Sequence, residues 1–342
     1  MKNKKATISD IASALNISPS AVSKALNQHP RISKTTREAV EDMAKQLNYE
    51  PNYLATALRK GKSHLIGMII PAVDINFFSS VVKGVESVVN AGGYNVIISQ
   101  SDDSFEKEKR NVDVLLNTQV DGIICSLANT TSQYEHLDKI IQKGTPLVLF
   151  DRTADQQALS TVVIDDYQGA ATATQHLIDQ GCQNIIHLAG PQQVLPFQLR
   201  AAGFRETLAK NHLDCHPRQL IESDLTQEGG RKAMEWALSR YGFPDGLFAA
   251  SDHAAFGAMQ VLKEKGYLIP AEVAIVGFSN ETFGHFIHPT LSTVEQHGEK
   301  MGEIAANLVI EQCSMPPDKF VHRKIVLPTD LIIRQSSQKL AN

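Results

Sequence analysis

No stretch of this 342-residue chain stays apolar for the roughly 18 residues that a membrane-spanning helix requires. The first ten residues, "MKNKKATISD", are basic with no apolar run behind them. They do not read as a secretory signal, and the expected compartment is the cytoplasm. Cysteine is scarce: Cys125, Cys182, Cys215 and Cys313 lie far apart with no C-x-x-C pair. Free thiols are expected rather than a disulfide framework or a zinc site. His253, His285, His288 and His297 share no metal-ligand spacing either. G-x-S-x-G, the phosphate loop and the dinucleotide fingerprint are all missing, and the "AGP" turn at 189–191 has a single glycine. The usual routes to hydrolytic, nucleotide-dependent and metal chemistry are therefore closed, and neither an enzyme nor a bound cofactor is expected.

What is present is an ordinary globular composition, 42% hydrophobic and 20% charged, at a length that implies more than one domain. Charge is spread unevenly. Residues 1–62 hold 11 Lys or Arg against 5 Asp or Glu, while the whole chain carries a net −4. A basic head precedes an acidic body, and only the head suits a polyanion.

Residues 1–50 read as three short helices. Thr7 and Asp10 have capping-box spacing ahead of a helix over about 7–14, whose apolar face is Ile8, Ile11, Ala12 and Leu15. Asn16 marks a corner that calls for left-handed backbone. In "NISPSAVSKALN" (16–27), Ser18 caps and Pro19 opens a second helix. Its inner face is thin, made of Ala21, Val22, Ala25 and Leu26, while Ser20, Ser23, Lys24 and Asn27 point the other way. A third helix over about 33–47 is capped by Ser33 and carries Lys34, Thr35, Thr36 and Arg37 in its first turn. This pattern fits a helix-turn-helix. The second helix would meet base edges in a major groove, and the start of the third would meet phosphates.

From His64 the pattern alternates between Val/Ile-rich runs and amphipathic segments. The runs are 65–70, 94–99, 120–126, 146–150, 184–189, 245–251 and 273–278; helical segments include 79–91, 106–117, 132–143, 167–180, 198–211, 227–240 and 254–265. Continuous apolar strands alternating with helices predict an α/β fold of two doubly wound parallel-sheet subdomains. Ligands in such folds sit beyond the carboxyl ends of the strands. There the chain places Asp74, Asn76, Phe77 and Phe78, then Asp151 and Arg152, Asp165, Arg200, Asp252, and Ser279, Asn280 and Glu281. Carboxylates and arginines around aromatic faces suit a small polyhydroxylated ligand.

The motifs "T-I-x-D-I-A", "I-S-x-x-A-V-S-K-A-L-N", "I-S-x-x-T-R-E-A-V" and "L-N-Y-x-P-N-x-x-A-x-x-L" stand in order, and the similarity runs on to "PTDLIIRQSS". In this the chain resembles the lactose-repressor (LacI/GalR) family. The resemblance implies a helix-turn-helix domain over 1–50, a hinge helix and linker over 51–62, and a periplasmic-binding-protein-like effector and dimerisation domain over 63–337. Within that domain it implies subdomains of about 63–162 with 293–322 and 163–292 with 323–337. It implies DNA contacts from Thr7, Ser18, Pro19, Ser20, Ser23, Lys24, Asn27, Ser33, Lys34, Thr36 and Arg37. The hinge would add Asn52, Ala55 and Leu58, the last wedged into the minor groove. Pro19 departs from the larger polar or aromatic residue often found there and offers a base only apolar contact; Asn16 replaces the usual turn glycine. The implied effector site is Asn76, Phe77, Phe78, Asp151, Arg152, Asp165, Arg200, Asp252 and Ser279. Ser279 stands where many members carry Asp, removing a charge from the ligand's surroundings.

Three function classes meet these observations differently. A repressor whose affinity for a pseudo-palindromic operator is set by a sugar-like effector uses both head and body. A solute-binding protein of the same body fold would need export, and an enzyme would need a motif that is missing. The expected partners are double-stranded DNA, a small sugar-like effector and a second copy of the chain, with no membrane, no metal and no cofactor.

Overall fold

The computed structural model describes residues 6–49, 62–154, 159–240 and 242–339, and the chain divides into two compact units, residues 1–63 and 64–342. In the first unit, α1 (Ile8–Leu15), α2 (Pro19–Leu26) and α3 (Lys34–Gln46) close on a small core. Ile11, Ala12, Val22, Ala25 and Val40 are buried there, with Leu15, Leu26 and Met43 at its edge. A core this small needs only one face of each helix, so α2 buries only Val22 and Ala25 and leaves Pro19, Ser20 and Lys24 exposed.

The second unit begins with β1 (Leu65–Ile70), α4 (Asn76–Ala91), β2 (Asn95–Gln100), α5 (Phe105–Asn117), β3 (Gly122–Cys125), α6 (Glu135–Gln142), β4 (Leu147–Phe150) and β5 (Ser160–Ile164). It continues with α7 (Asp166–Asp179), β6 (Ile185–Ala189), α8 (Leu195–Lys210), β7 (Leu220–Glu222), α9 (Gln227–Arg240), β8 (Gly246–Ala249), α10 (Asp252–Glu264), β9 (Ala274–Phe278) and β10 (Ser292–Glu295). The chain ends with α11 (Gly298–Cys313), β11 (Lys324–Leu327) and β12 (Asp330–Ile332). One sheet has the order β11-β5-β4-β3-β1-β2 and the other β12-β10-β9-β8-β6-β7. Among the described residues all pairings are parallel except β10 with β12. The inner strands β3, β4, β6, β8 and β9 are buried along their whole length, and β1, β5 and β10 at all but one residue each, as expected for sheets covered on both faces. Each of the seven apolar runs contains a strand. Strands β5, β7, β10, β11 and β12 lie outside those runs; all but β5 are three or four residues long and mostly half-exposed or hydroxyl-rich.

Helix α11 returns to the first sheet and packs on α4. Their contact is very close: a Cβ at Gly84 would stand 2.0 Å from the Glu299 carbonyl oxygen, and one at Gly302 2.1 Å from that of Val81. The chain therefore passes between the two sheets three times, after β5, between β10 and α11, and between β11 and β12. This corrects the subdomain limits read from sequence. The strand at 292–295 belongs wholly to the second sheet, and 324–327 to the first, where Lys324 pairs with Thr161. Each strand completes its own sheet before the chain crosses, and strand pairing cannot be read from local pattern.

Candidate functional site

The head is held by local caps. The Asp10 N–H donates to Thr7 Oγ1 at 3.3 Å and the Thr7 N–H donates to Asp10 Oδ2 at 2.8 Å, the reciprocal box that its spacing predicts. Asn16 is left-handed, with φ 54° and ψ 41°. Ser18 Oγ accepts the Ala21 N–H and bonds the Ser20 hydroxyl at 2.9 Å. Ser33 caps α3 and bonds the Thr36 hydroxyl at 2.7 Å. Ser18, Pro19, Ser20, Lys24, Asn27, Ser33 and Lys34 are exposed, as is Thr7, while Ser23, Thr36 and Arg37 are half-buried. The Arg37 guanidinium donates twice to the Ile32 carbonyl, at 3.0 and 3.3 Å, which fixes its direction. Asn52, Ala55 and Leu58 lie outside the described residues.

In the body, a cavity of about 320 Å³ opens where the carboxyl ends of the two sheets' strands face each other. Of the expected residues, Phe77, Phe78, Asp151, Arg152, Arg200 and Ser279 line it. Arg200 is buried: its Nε donates to Asp166 Oδ1 at 2.8 Å, one Nη donates to the Ala250 carbonyl at 2.8 Å, and its carbon centre lies 3.6 Å from the Phe278 ring centroid. Burial pushes the Asp166 carboxyl up to about 6, against the pull of Arg200. Arg152 donates to Asp103 and lies 3.7 Å from Asp151, whose own carboxyl is raised by burial. Both guanidiniums approach the Phe197 ring.

Three expected residues stand apart from the cavity. Asp252 is fully buried beneath it, accepting from the Glu281 N–H and the Thr293 hydroxyl at 2.7 Å each, and burial pushes it up to about 7. Asp165 is exposed and caps α7 through the Gln168 N–H, beside a separate recess with Tyr167 and Lys324. Asn76 lies in a recess on another side, with Glu295 and Lys300, and takes part at the cavity through its backbone N–H alone.

The first residues match the model of "Bacterial regulatory proteins, lacI family" over 7–52, and residues 174–337 match a periplasmic binding protein-like domain. The ribose operon repressor of Halalkalibacterium halodurans is 32% identical over 97% of both chains. The chain belongs to the lacI family of bacterial regulatory proteins. Among solved structures, the Lac repressor dimer bound to operator and the anti-inducer ONPF superposes with a TM-score of 0.86 at 25% identity, covering 98% of this chain and all of that one. The complex of the transcriptional regulator CelR with cellobiose gives 0.75 at 26% identity over 97% of this chain and all of that one.

For this lacI-family chain the cavity also holds residues that the motif comparison passed over. Asp103 and Asn129 follow β2 and β3; Phe197 sits on the first turn of α8; Asp224 and Gln227 follow β7; His253 and Gln296 complete the wall. Looking past every strand end would have found Asp103 and Asn129. Nothing local marks Phe197 or Gln296. Asn129 is placed by Asp103, which accepts its backbone N–H at 3.1 Å and its side-chain amide at 3.2 Å. Its loop is held by the fully buried Glu108, which accepts the Ala128 N–H and the Thr131 hydroxyl and contacts His136 Nε2 at 2.7 Å.

Proposed function

We propose that this chain represses transcription as a homodimer on a two-fold operator, and that a sugar held between its two sheets sets operator affinity. As a lacI-family member it is an effector-controlled, DNA-binding regulator. One observation carries the reading of its parts: a single polypeptide joins a three-helix head with an exposed polar α2 to a cavity of about 320 Å³ at opposed strand ends. On this reading Ser20 and Lys24 read base edges, Pro19 offers an apolar contact, and Lys34 with the start of α3 meets phosphates. Ser18 and Ser33 serve mainly as caps, Thr36 as the partner that Ser33 caps, and Arg37 as a brace for the turn before α3. In the cavity, Phe77, Phe78 and Phe197 supply ring faces, while Arg152, Arg200 and Asp151 bridge hydroxyls. A repressor named for ribose and a regulator solved with cellobiose support a sugar as the ligand class. The protein acts where its operator is, in the cytoplasm, and as a regulator rather than an enzyme.

Closure of the two lobes on the ligand alters operator affinity only as far as the ligand prefers one arrangement over the other. The test begins with random DNA duplexes enriched on the full-length protein, followed by anisotropy titrations with and without sugars. A two-fold symmetric consensus, affinity that falls steeply with salt, and a shift of about tenfold or more with one sugar are expected. Absence of any consensus, or binding that survives loss of residues 1–60, overturns the reading. Pro19→Tyr should change the preferred sequence while the head stays folded.

A further inference from the structure

The cavity's two cations are already engaged, and its carboxylates outnumber them. Arg200 is held by Asp166 and the Ala250 carbonyl, and Arg152 by Asp103 with Asp151 beside it. Asp74, Asp224 and Glu281 also reach the cavity, and among the described residues no Lys or Arg forms an ion pair with any of them. Glu281 is the most confined of the three, at 4% exposure. Ser279 and Asn280, with φ of 111° and 48°, bend the chain sharply after β9 and turn Glu281 inward. That bend is locked. Asn280 Nδ2 donates to Glu295, and its Oδ1 accepts from Arg334 at 2.7 Å. The Glu281 N–H is anchored on Asp252.

The two carboxylate oxygens of Glu281 have different surroundings. Oε2 accepts the Asn76 N–H at 3.3 Å, at the start of α4, where the N-cap residue Ile75 offers no side-chain acceptor. Oε1 is buried and has no hydrogen-bond partner. His253 Nε2, 3.9 Å from Oε2, is likewise buried and unpartnered. Orphaned buried polar atoms are costly, and two side by side on a cavity wall mark the place where a ligand's polar group belongs.

We propose that Glu281, with His253 beside it, is the specificity-determining corner of the cavity, selecting a sugar that presents a hydroxyl or ammonium donor and bears no acidic group. Glu281 Oε1 accepts that donor, and the unpaired carboxylates repel phosphate esters and uronates, whose anionic groups find no uncommitted cation to meet them. The proposal rests on the sugar-effector reading above.

Calorimetry on the full-length protein tests it, with a panel of neutral pentoses, hexoses and disaccharides, amino sugars, sugar 6-phosphates and uronates. The tightest ligand is expected among the neutral or amino sugars, with its phosphorylated or uronate counterpart at least about a hundredfold weaker. Glu281→Gln is expected to weaken the preferred sugar by roughly tenfold or more, the size of a lost charge-assisted hydrogen bond, and to narrow the neutral-to-anionic ratio. A purely structural role would lower both affinities together and leave the ratio alone. A sugar phosphate or uronate as tightest ligand overturns this proposal and leaves the sugar reading standing. Binding by no sugar overturns both. An unchanged ratio in a folded Glu281→Gln protein removes Glu281 from the specificity role.

Discussion

The head and the body use polar side chains in opposite ways. In the head they are short, exposed and tied to neighbours three or four residues away, as in Thr7 with Asp10, Ser18 with Ala21 and Ser33 with Thr36. In the body they are charged, buried and joined across long separations; Asn76 and Glu281 are 205 positions apart. A surface that reads a large external polyanion needs groups in water on a firm local frame. A cavity that encloses a small ligand needs groups already stripped of water, each held by a partner that keeps it from collapsing onto the wrong neighbour.

The sharpest way to break this contrast is to remove one partner of a buried pair. Arg200→Met leaves Asp166 buried without its cation, and the body should lose about 3–5 kcal/mol. Because Asp166 is raised to about 6, its carboxyl is stable in the folded state as the neutral acid. That contribution is intact below its ordinary value and is lost as pH rises through about 6. Urea titrations should therefore show a larger loss at pH 8 than at pH 5, and an equal loss would contradict the burial of a lone carboxylate. In the head the corresponding weakness is core size. Ile11→Ala should cost about 2–5 kcal/mol, enough to melt so small a unit while the body's calorimetric transition stays in place. A shift of both transitions together would show the two units to be energetically coupled.

A third comparison concerns protons. His187 is fully buried, stacked on Phe248 at 4.5 Å, and its Nε2 has no partner; burial drives it down to about 3. A depressed histidine is stabilising while neutral, above about 6.5, and costs stability as pH falls below that. By about pH 5 the penalty is roughly 2 kcal/mol, which His187→Leu should abolish from the acid side of the body's pH–stability profile. An identical acid slope in the variant would contradict this. The smallest effect belongs to the head's surface: Thr7→Ala, removing one cap, should lower head stability by about 1 kcal/mol, read as a small drop in that unit's melting temperature.

The same contrast explains what a one-dimensional reading can see. Caps, the left-handed Asn16 and the faces of α2 were legible because cause and partner lie within one turn of helix. The apolar runs of the inner strands were legible because burial on both faces demands them. Asp165 and Asp252 were placed at the right strand ends, yet one caps α7 in solvent and the other points down into the fold. Sequence position gives the end of a strand but not the direction of the side chain that follows. Phe197, Gln296 and the inward turn of Glu281 depend on which strands neighbour one another, which local pattern does not contain.

The three passages of the chain between the sheets act as tethers joining two plates. One tether would let the plates twist and slide as well as open. Three tethers, at residues 165, 296–297 and 328–329, oppose torsion and separation more than one would, and bending about those residues is the motion they oppose least. On the proposed reading, a ligand between the sheets would act on an angle rather than a distance. A fraction of an ångström gained at the cavity wall is multiplied at the far rim of each plate, the way a short push near a door's hinge moves its outer edge.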